Sequence, residues 1–192
     1  MADELCVVRS MIGETPLHGA QSLLLHTGRS VAAAPSIGSW VSYGLGREDR
    51  ELPGYVLLNN DWIPNGGFQN FASSFLPANH QAALVRAKGT PVDNILPADP
   101  ADVQHAMLEF LRSQDGAVAR ERGGSEAIES AIRNHETAAH MQTIVPQLCD
   151  VQGESRETLR QYGVDRTNHH ERFYALQCLR ARRLVEAGVR FI

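Results

Sequence analysis

The stretch Leu179-Arg-Ala-Arg-Arg-Leu-Val-Glu-Ala-Gly-Val-Arg-Phe-Ile192 decides the fold class. As far as Ala187 it reads as the end of a helix begun at Glu171, with Phe173, Leu176, Cys178, Leu179 and Leu184 on its apolar face. Gly188 stands where a left-handed C-cap favours a residue without Cβ, and Val189 to Ile192 begins a strand. A helix handed to a strand by one glycine suits helices layered on a mainly parallel sheet. The strand is entered but not finished at Ile192, which reads as an internal segment of one larger domain, incomplete at both ends.

Working back from there, Ser155 to Tyr162 has the pattern of a short helix and Ser125 to Val145 that of a longer one, which Pro146 should break or bend. Asp102 to Leu111 is a further helical stretch. Residues 61–100 are loop-rich, with Gly, Pro and Asn concentrated from Phe68 to Pro100. Residues 1–60 read as strand, helix, helix, strand. The strands are Leu5 to Val8, a β-branched apolar run, and Tyr55 to Leu58 after the turn signal Pro53-Gly54, with Ala82 to Ala87 a third candidate. Thr15-Pro16 supplies a cap and a first-turn proline for a helix from Leu17 to His26 that stops at Gly28. Pro35 to Leu45 reads as a second, interrupted helix.

The 192 residues are 43% hydrophobic, enough for a core. With 18 basic and 22 acidic residues the net charge is -4, which favours neither nucleic acid nor an anionic membrane surface. Runs such as Leu23 to Leu25 are far shorter than the roughly 20 apolar residues that cross a bilayer. The opening MADELCVVRSM has no export signal, so a signal in the parent protein would lie upstream. Cys6, Cys149 and Cys178 are odd in number and widely spaced, and read as buried free thiols rather than disulfides or zinc ligands.

Six blocks together resemble a large bacterial group, domain-of-unknown-function family 1501: VRSM at Val8 to Met11, His18 to Gly28, PSIGSWVSYGLG at Pro35 to Gly46, LPGYVLL at Leu52 to Leu58, SSFLP at Ser73 to Pro77, and Leu179 to Ile192. The resemblance implies part of an alkaline-phosphatase-like or sulfatase-like sandwich. It also implies that the parent is a metal-dependent phosphate- or sulfate-ester hydrolase acting on an anionic substrate. The divalent-metal ligands of such a domain lie before Met1 and after Ile192, so this chain alone is not catalytically complete and no metal ligand carries over to its residues. Sulfatases bear their nucleophile as the first residue of C/S-x-P-x-R-x4-T-G, and His18 stands at the matching distance from Thr27-Gly28.

His18 is thus the catalytic candidate by position, and Thr15, His18 and Gly19 are the candidate anion-binding residues at a helix start, where free N–H groups and the dipole favour a sulfate or phosphate. His18, Ala20 and Ser22 replace the sulfatase Cys or Ser, Pro and Arg. A conventional sulfatase mechanism is therefore disfavoured, leaving a neutral imidazole to donate to an anionic transition state, act as general acid or base, or accept a phosphoryl group. The rival reading is that His18 only caps or packs.

Other constellations are weaker. His135 and His140 frame an H-E-x-x-x-H, one residue longer than the zinc-protease spacing, which turns the second imidazole about 100° away. His169-His170-Glu171 reads as a solvated helix start, and Arg180, Arg182 and Arg183 as a solvated face. Trp40 and Trp62 read as core or interface rings rather than the border of a ligand groove. The alternative to a hydrolase is a non-catalytic binding or structural protein that keeps the fold. A self-contained small α/β domain is a third possibility, disfavoured by the unfinished last strand.

Overall fold

Val56–Asn59 forms β1 and pairs in parallel with β2, Ala83–Arg86, in the register Val56 to Ala83 through Asn59 to Arg86. The computed structural model describes residues 2–47, 52–59, 63–86, 89–93, 95–96, 99–121 and 123–192. Of the expected strands, Tyr55 to Leu58 and Ala82 to Ala87 are therefore present, although Ala87 lies outside the described residues, as does Trp62. On the other side of β1 the Val56 N–H donates to the Phe191 carbonyl (2.9 Å) and the Phe191 N–H to the Gly54 carbonyl (3.2 Å). The Val189 to Ile192 segment thus reaches the sheet through a parallel bridge between Tyr55 and Phe191.

Among the described residues six α-helices accompany this sheet: α1 (His18–Thr27), α2 (Ile37–Leu45), α3 (Ala101–Glu121), α4 (Glu126–Cys149), α5 (Arg156–Tyr162) and α6 (His169–Glu186). The architecture is mixed α/β. Its core joins Val56 and Val85 of the strands to Met141, Val145 and Cys149 of α4, Leu184 of α6, and Leu52, Ile95 and Val189 from the connections. Helical spacing explains the α4 contribution, since Met141, Val145 and Cys149 recur every four residues on one face. Gly188 has φ +98° as its C-terminal position requires, and the Val189 N–H reaches back to Leu184 O at 3.0 Å.

Several expectations need correction. Leu5 to Val8 is not a buried strand: it follows a 3-10 turn at Ala2–Glu4, has no regular structure, and leaves Leu5, Val7 and Val8 at 60% exposure or more. Among the described residues no strand pairs with it, and propensity alone does not make a strand. Cys6 is accordingly exposed and Cys178 only half-buried, whereas Cys149 is buried. Helix α1 starts at His18 with Leu17 as N-cap, so Thr15 does not cap it and Pro16 precedes it. Helix α2 is uninterrupted, because Ser36 accepts the Ser39 N–H and fixes its start. Helix α3 extends to Glu121, ten residues past the expected Leu111. Pro146 opens the last turn of α4 without ending it, and its carbonyl accepts the Asp150 N–H at 3.0 Å.

Candidate functional site

The first turn of α1 is held by local hydrogen bonds. Thr15 Oγ1 accepts the Leu17 N–H (3.2 Å), and the Gln21 side chain donates to the Thr15 carbonyl (2.6 Å). The N-cap Leu17 offers no side-chain acceptor, so the cap residue leaves the N–H groups of the first turn unsatisfied by a side chain of its own. His18 is exposed and Gly19 half-buried. A Cβ on Gly19 would stand 3.4 Å from the Gly66 nitrogen, and one on Gly66 would stand 3.1 Å from the Gly19 carbonyl, so two backbones meet here.

Gly66 has φ +93°, a conformation glycine supplies at little cost, and opens the 3-10 turn Gly67–Phe71. Fully buried Asn70 ties that turn down, its Nδ2 donating to the Asn65 and Gly67 carbonyls at 2.9 Å each. His26 packs edge-on against Phe71, and burial lowers its pKa below the ordinary 6.5. This turn follows β1, whose end contributes Leu57, Leu58 and Asn59 to an apolar hollow of about 260 Å³ completed by Phe68 and Phe71. The helix start carrying His18 and Gly19 therefore touches the loop leaving the carboxyl end of a parallel strand, the edge at which α/β folds bind ligands.

A second polar cluster was not anticipated. Ser36, Ser39 and Ser42 are all buried at 1% exposure or less, although two of them lie inside a helix. Ser36 and Ser39 share a 2.9 Å hydrogen bond, and Ser39 Oγ donates to the Ala72 carbonyl. Ser42 Oγ lies 2.9 Å from His80 Nδ1, and His80 Nε2 lies 3.1 Å from Asn79 Nδ2. Asn79 is anchored in turn to Ser130 of α4. Burial raises the Tyr55 phenol above its ordinary pKa, opposed by its hydrogen bond to Ser36. The three-residue spacing of the serines was the available signal, for it puts three hydroxyls on one helical stripe.

His135 and His140 lie on the continuous α4, so the five-residue interval does separate them around a helix. Both border an open cleft of about 810 Å³ between α3 and α4, with Arg47, His105, Arg112 and Glu136 among its other walls. An Arg112–Glu136 ion pair at 3.1 Å crosses it. Among the described residues no three His, Cys, Asp or Glu side chains are placed to hold a metal ion. His169 and His170 are exposed in the first turn of α6, which Asn168 caps through the His170 and Glu171 N–H groups. Trp40 is half exposed, edge-on to Tyr43 and Phe75.

The arginines of α6 are not a solvated face. Arg183 donates to the Leu148 and Gln147 carbonyls, and Arg180 to that of Cys149, so three of the last carbonyls of α4 receive guanidinium donors. Glu154 accepts from Arg183 at 2.7 Å and from Arg182 at 3.0 Å.

The elements define a mixed α/β protein in which none of the described helices is long and apolar enough to cross a membrane. The chain belongs to the family described as Protein of unknown function (DUF1501), whose family model matches residues 1–192. No curated protein and no solved structure matches it.

Proposed function

We propose that the chain is part of an alkaline-phosphatase-like, sulfatase-like domain, and that its parent protein hydrolyses phosphate or sulfate esters with the help of a divalent metal. The observation that carries this reading is the meeting of the α1 start with the loop after β1, where Gly19 and Gly66 bring their backbones together. Thr15, His18 and Gly19 are assigned to the anionic ester. The backbone N–H groups of the first turn would orient its oxygens, and the exposed His18 imidazole would donate to them or move a proton. A bound divalent ion would polarise the ester oxygen. The resemblance assigns the ligands of such an ion to segments outside this chain, and orientation and proton transfer to Thr15, His18 and Gly19.

The test uses the full-length protein with p-nitrophenyl phosphate and p-nitrophenyl sulfate. His18→Ala should lower turnover by about 100-fold or more, the scale of a lost general acid or base, without moving the unfolding midpoint. His140→Ala, in the distant α3–α4 cleft, should leave turnover alone. An active protein whose turnover and anion affinity both survive His18→Ala would remove His18 from the site. The second reading, a non-catalytic binding protein of the same fold, is favoured by the sulfatase-motif departures at His18, Ala20 and Ser22 and by the exposed rings of Trp40, Tyr43 and Phe75. It predicts a folded protein that hydrolyses neither ester.

A further inference from the structure

The cluster around His80 has a defined direction. Ser130 Oγ accepts the Asn79 backbone N–H (3.1 Å), so its own proton is directed to Asn79 Oδ1, 2.9 Å away. Arg133 adds a second donor toward the same oxygen at 3.5 Å. With Oδ1 turned to α4, the Asn79 Nδ2 is left facing His80 Nε2 at 3.1 Å. An amide nitrogen can only donate, so Nε2 must be the bare, accepting nitrogen and Nδ1 must carry the proton, donating to Ser42 Oγ at 2.9 Å. This polarity is the reverse of the one in which an imidazole withdraws a proton from a serine, and Ser42 is closed to solvent besides.

We propose that His80 is a proton-controlled latch: neutral, it holds the turn Ala78–His80 between α2 and α4, and protonation at Nε2 sets two donors face to face and releases α4 from that turn. The turn is suited to this role because it packs on both helices, and Asn79 and His80 are its links to Ser130 and Ser42. Every neighbouring element bears on the ring. Helix α2 presents the Tyr43 ring edge, with centroids 5.3 Å apart, and Arg47 follows that helix. Helix α4 presents Arg133 and Glu126. Burial, then Arg133 and Arg47, lower the His80 pKa below 6.5, while Glu126 opposes them. The folded state thus favours the neutral ring. The latch is closed above pH 6.5 and opens as the pH falls from there through the lowered folded value.

Amide hydrogen exchange of residues 126–137 in the full-length protein, followed from pH 7.5 to 5 and corrected for intrinsic exchange, reads the latch directly. Protection should fall on the acid side, by up to about tenfold for each pH unit of His80 titration. His80→Gln should abolish this pH dependence, and His140→Gln should keep it. Ser130→Ala, which removes the anchor, should show the low protection already at pH 7.5 and no further fall. Nitrogen NMR of the wild-type imidazole at pH 7.5 should report the Nδ1–H tautomer. An Nε2–H tautomer, flat wild-type protection, or a wild-type profile in either His80→Gln or Ser130→Ala would overturn the proposal.

Discussion

Gly38 and Gly44 lie in the same short helix and should respond to alanine in opposite directions. A Cβ on Gly38 would come within 2.6 Å of three Tyr55 ring atoms, whereas one on Gly44 meets nothing within 4 Å. The Tyr55 ring has little room to yield, being buried, hydrogen-bonded to Ser36 and edge-on to Phe191. Gly38→Ala should therefore cost about 1–3 kcal/mol, as overpacking does. Gly44→Ala should gain up to about 1 kcal/mol of helix propensity. Urea midpoints decide it, and a stabilised Gly38→Ala would contradict the packing described for Tyr55. At this scale the sequence was partly legible. Gly188 announced its left-handed conformation and Gly28 the stop of its helix, but no local pattern reveals that Gly66 must admit Gly19, because the two are brought together only by the fold.

Among the elements, α4 and α6 are joined by charge as well as by apolar packing. The hydrogen bond from Arg183, with help from Arg182, holds the Glu154 carboxyl below its ordinary pKa of 4.5, although desolvation opposes the shift. The unfolded chain then binds a proton that the folded chain refuses. The stability Glu154 contributes is complete above about pH 4.5 and lost as the pH falls through the lowered folded value. Glu154→Gln should lower stability at pH 7 and flatten the acid limb of a pH–stability curve measured by chemical denaturation. An acid limb identical to that of the wild type would show that the pair does not couple to folding. Helices of strong period with clear caps were readable in advance, α5 and α6 nearly to the residue. The arginine stripe was misread because a charged face looks the same in sequence whether it meets water or another helix's carbonyls. The break expected at Pro146 does not occur, because a proline withdraws only one N–H from the helix, the one that would meet the Gln142 carbonyl, and it stands in the last turn.

For the whole molecule, the parallel α/β character was legible from helix-to-strand transitions, and the α6 face supplies the buried Leu179 and Leu184, but the α4 stripe of Met141, Val145 and Cys149 that fills the core was not anticipated. What could not be read was which apolar residues find a partner. Leu5, Val7, Val8, Met11 and Ile12 are all exposed by 60% or more, as are Leu17 and Leu25 of the α1 region. So much uncovered apolar surface favours association. The isolated chain should bind a hydrophobic dye at neutral pH and unfold in urea with an m-value below that of a fully buried domain of its size. A monomer that binds no dye and shows a sharp transition of full m-value would refute this.

Strand β1 also has kinetic consequences. Among the described residues its neighbours are β2 on one side and the Phe191 segment on the other, the latter separated from Tyr55 by all of α3 to α6. The helices close through near neighbours in sequence and can form early, but this last contact must first meet the entropy of a very long loop. The pairing of β1 on its Phe191 side therefore follows its pairing with β2, and a nascent chain carries β1 with that edge open until residue 191 has been synthesised.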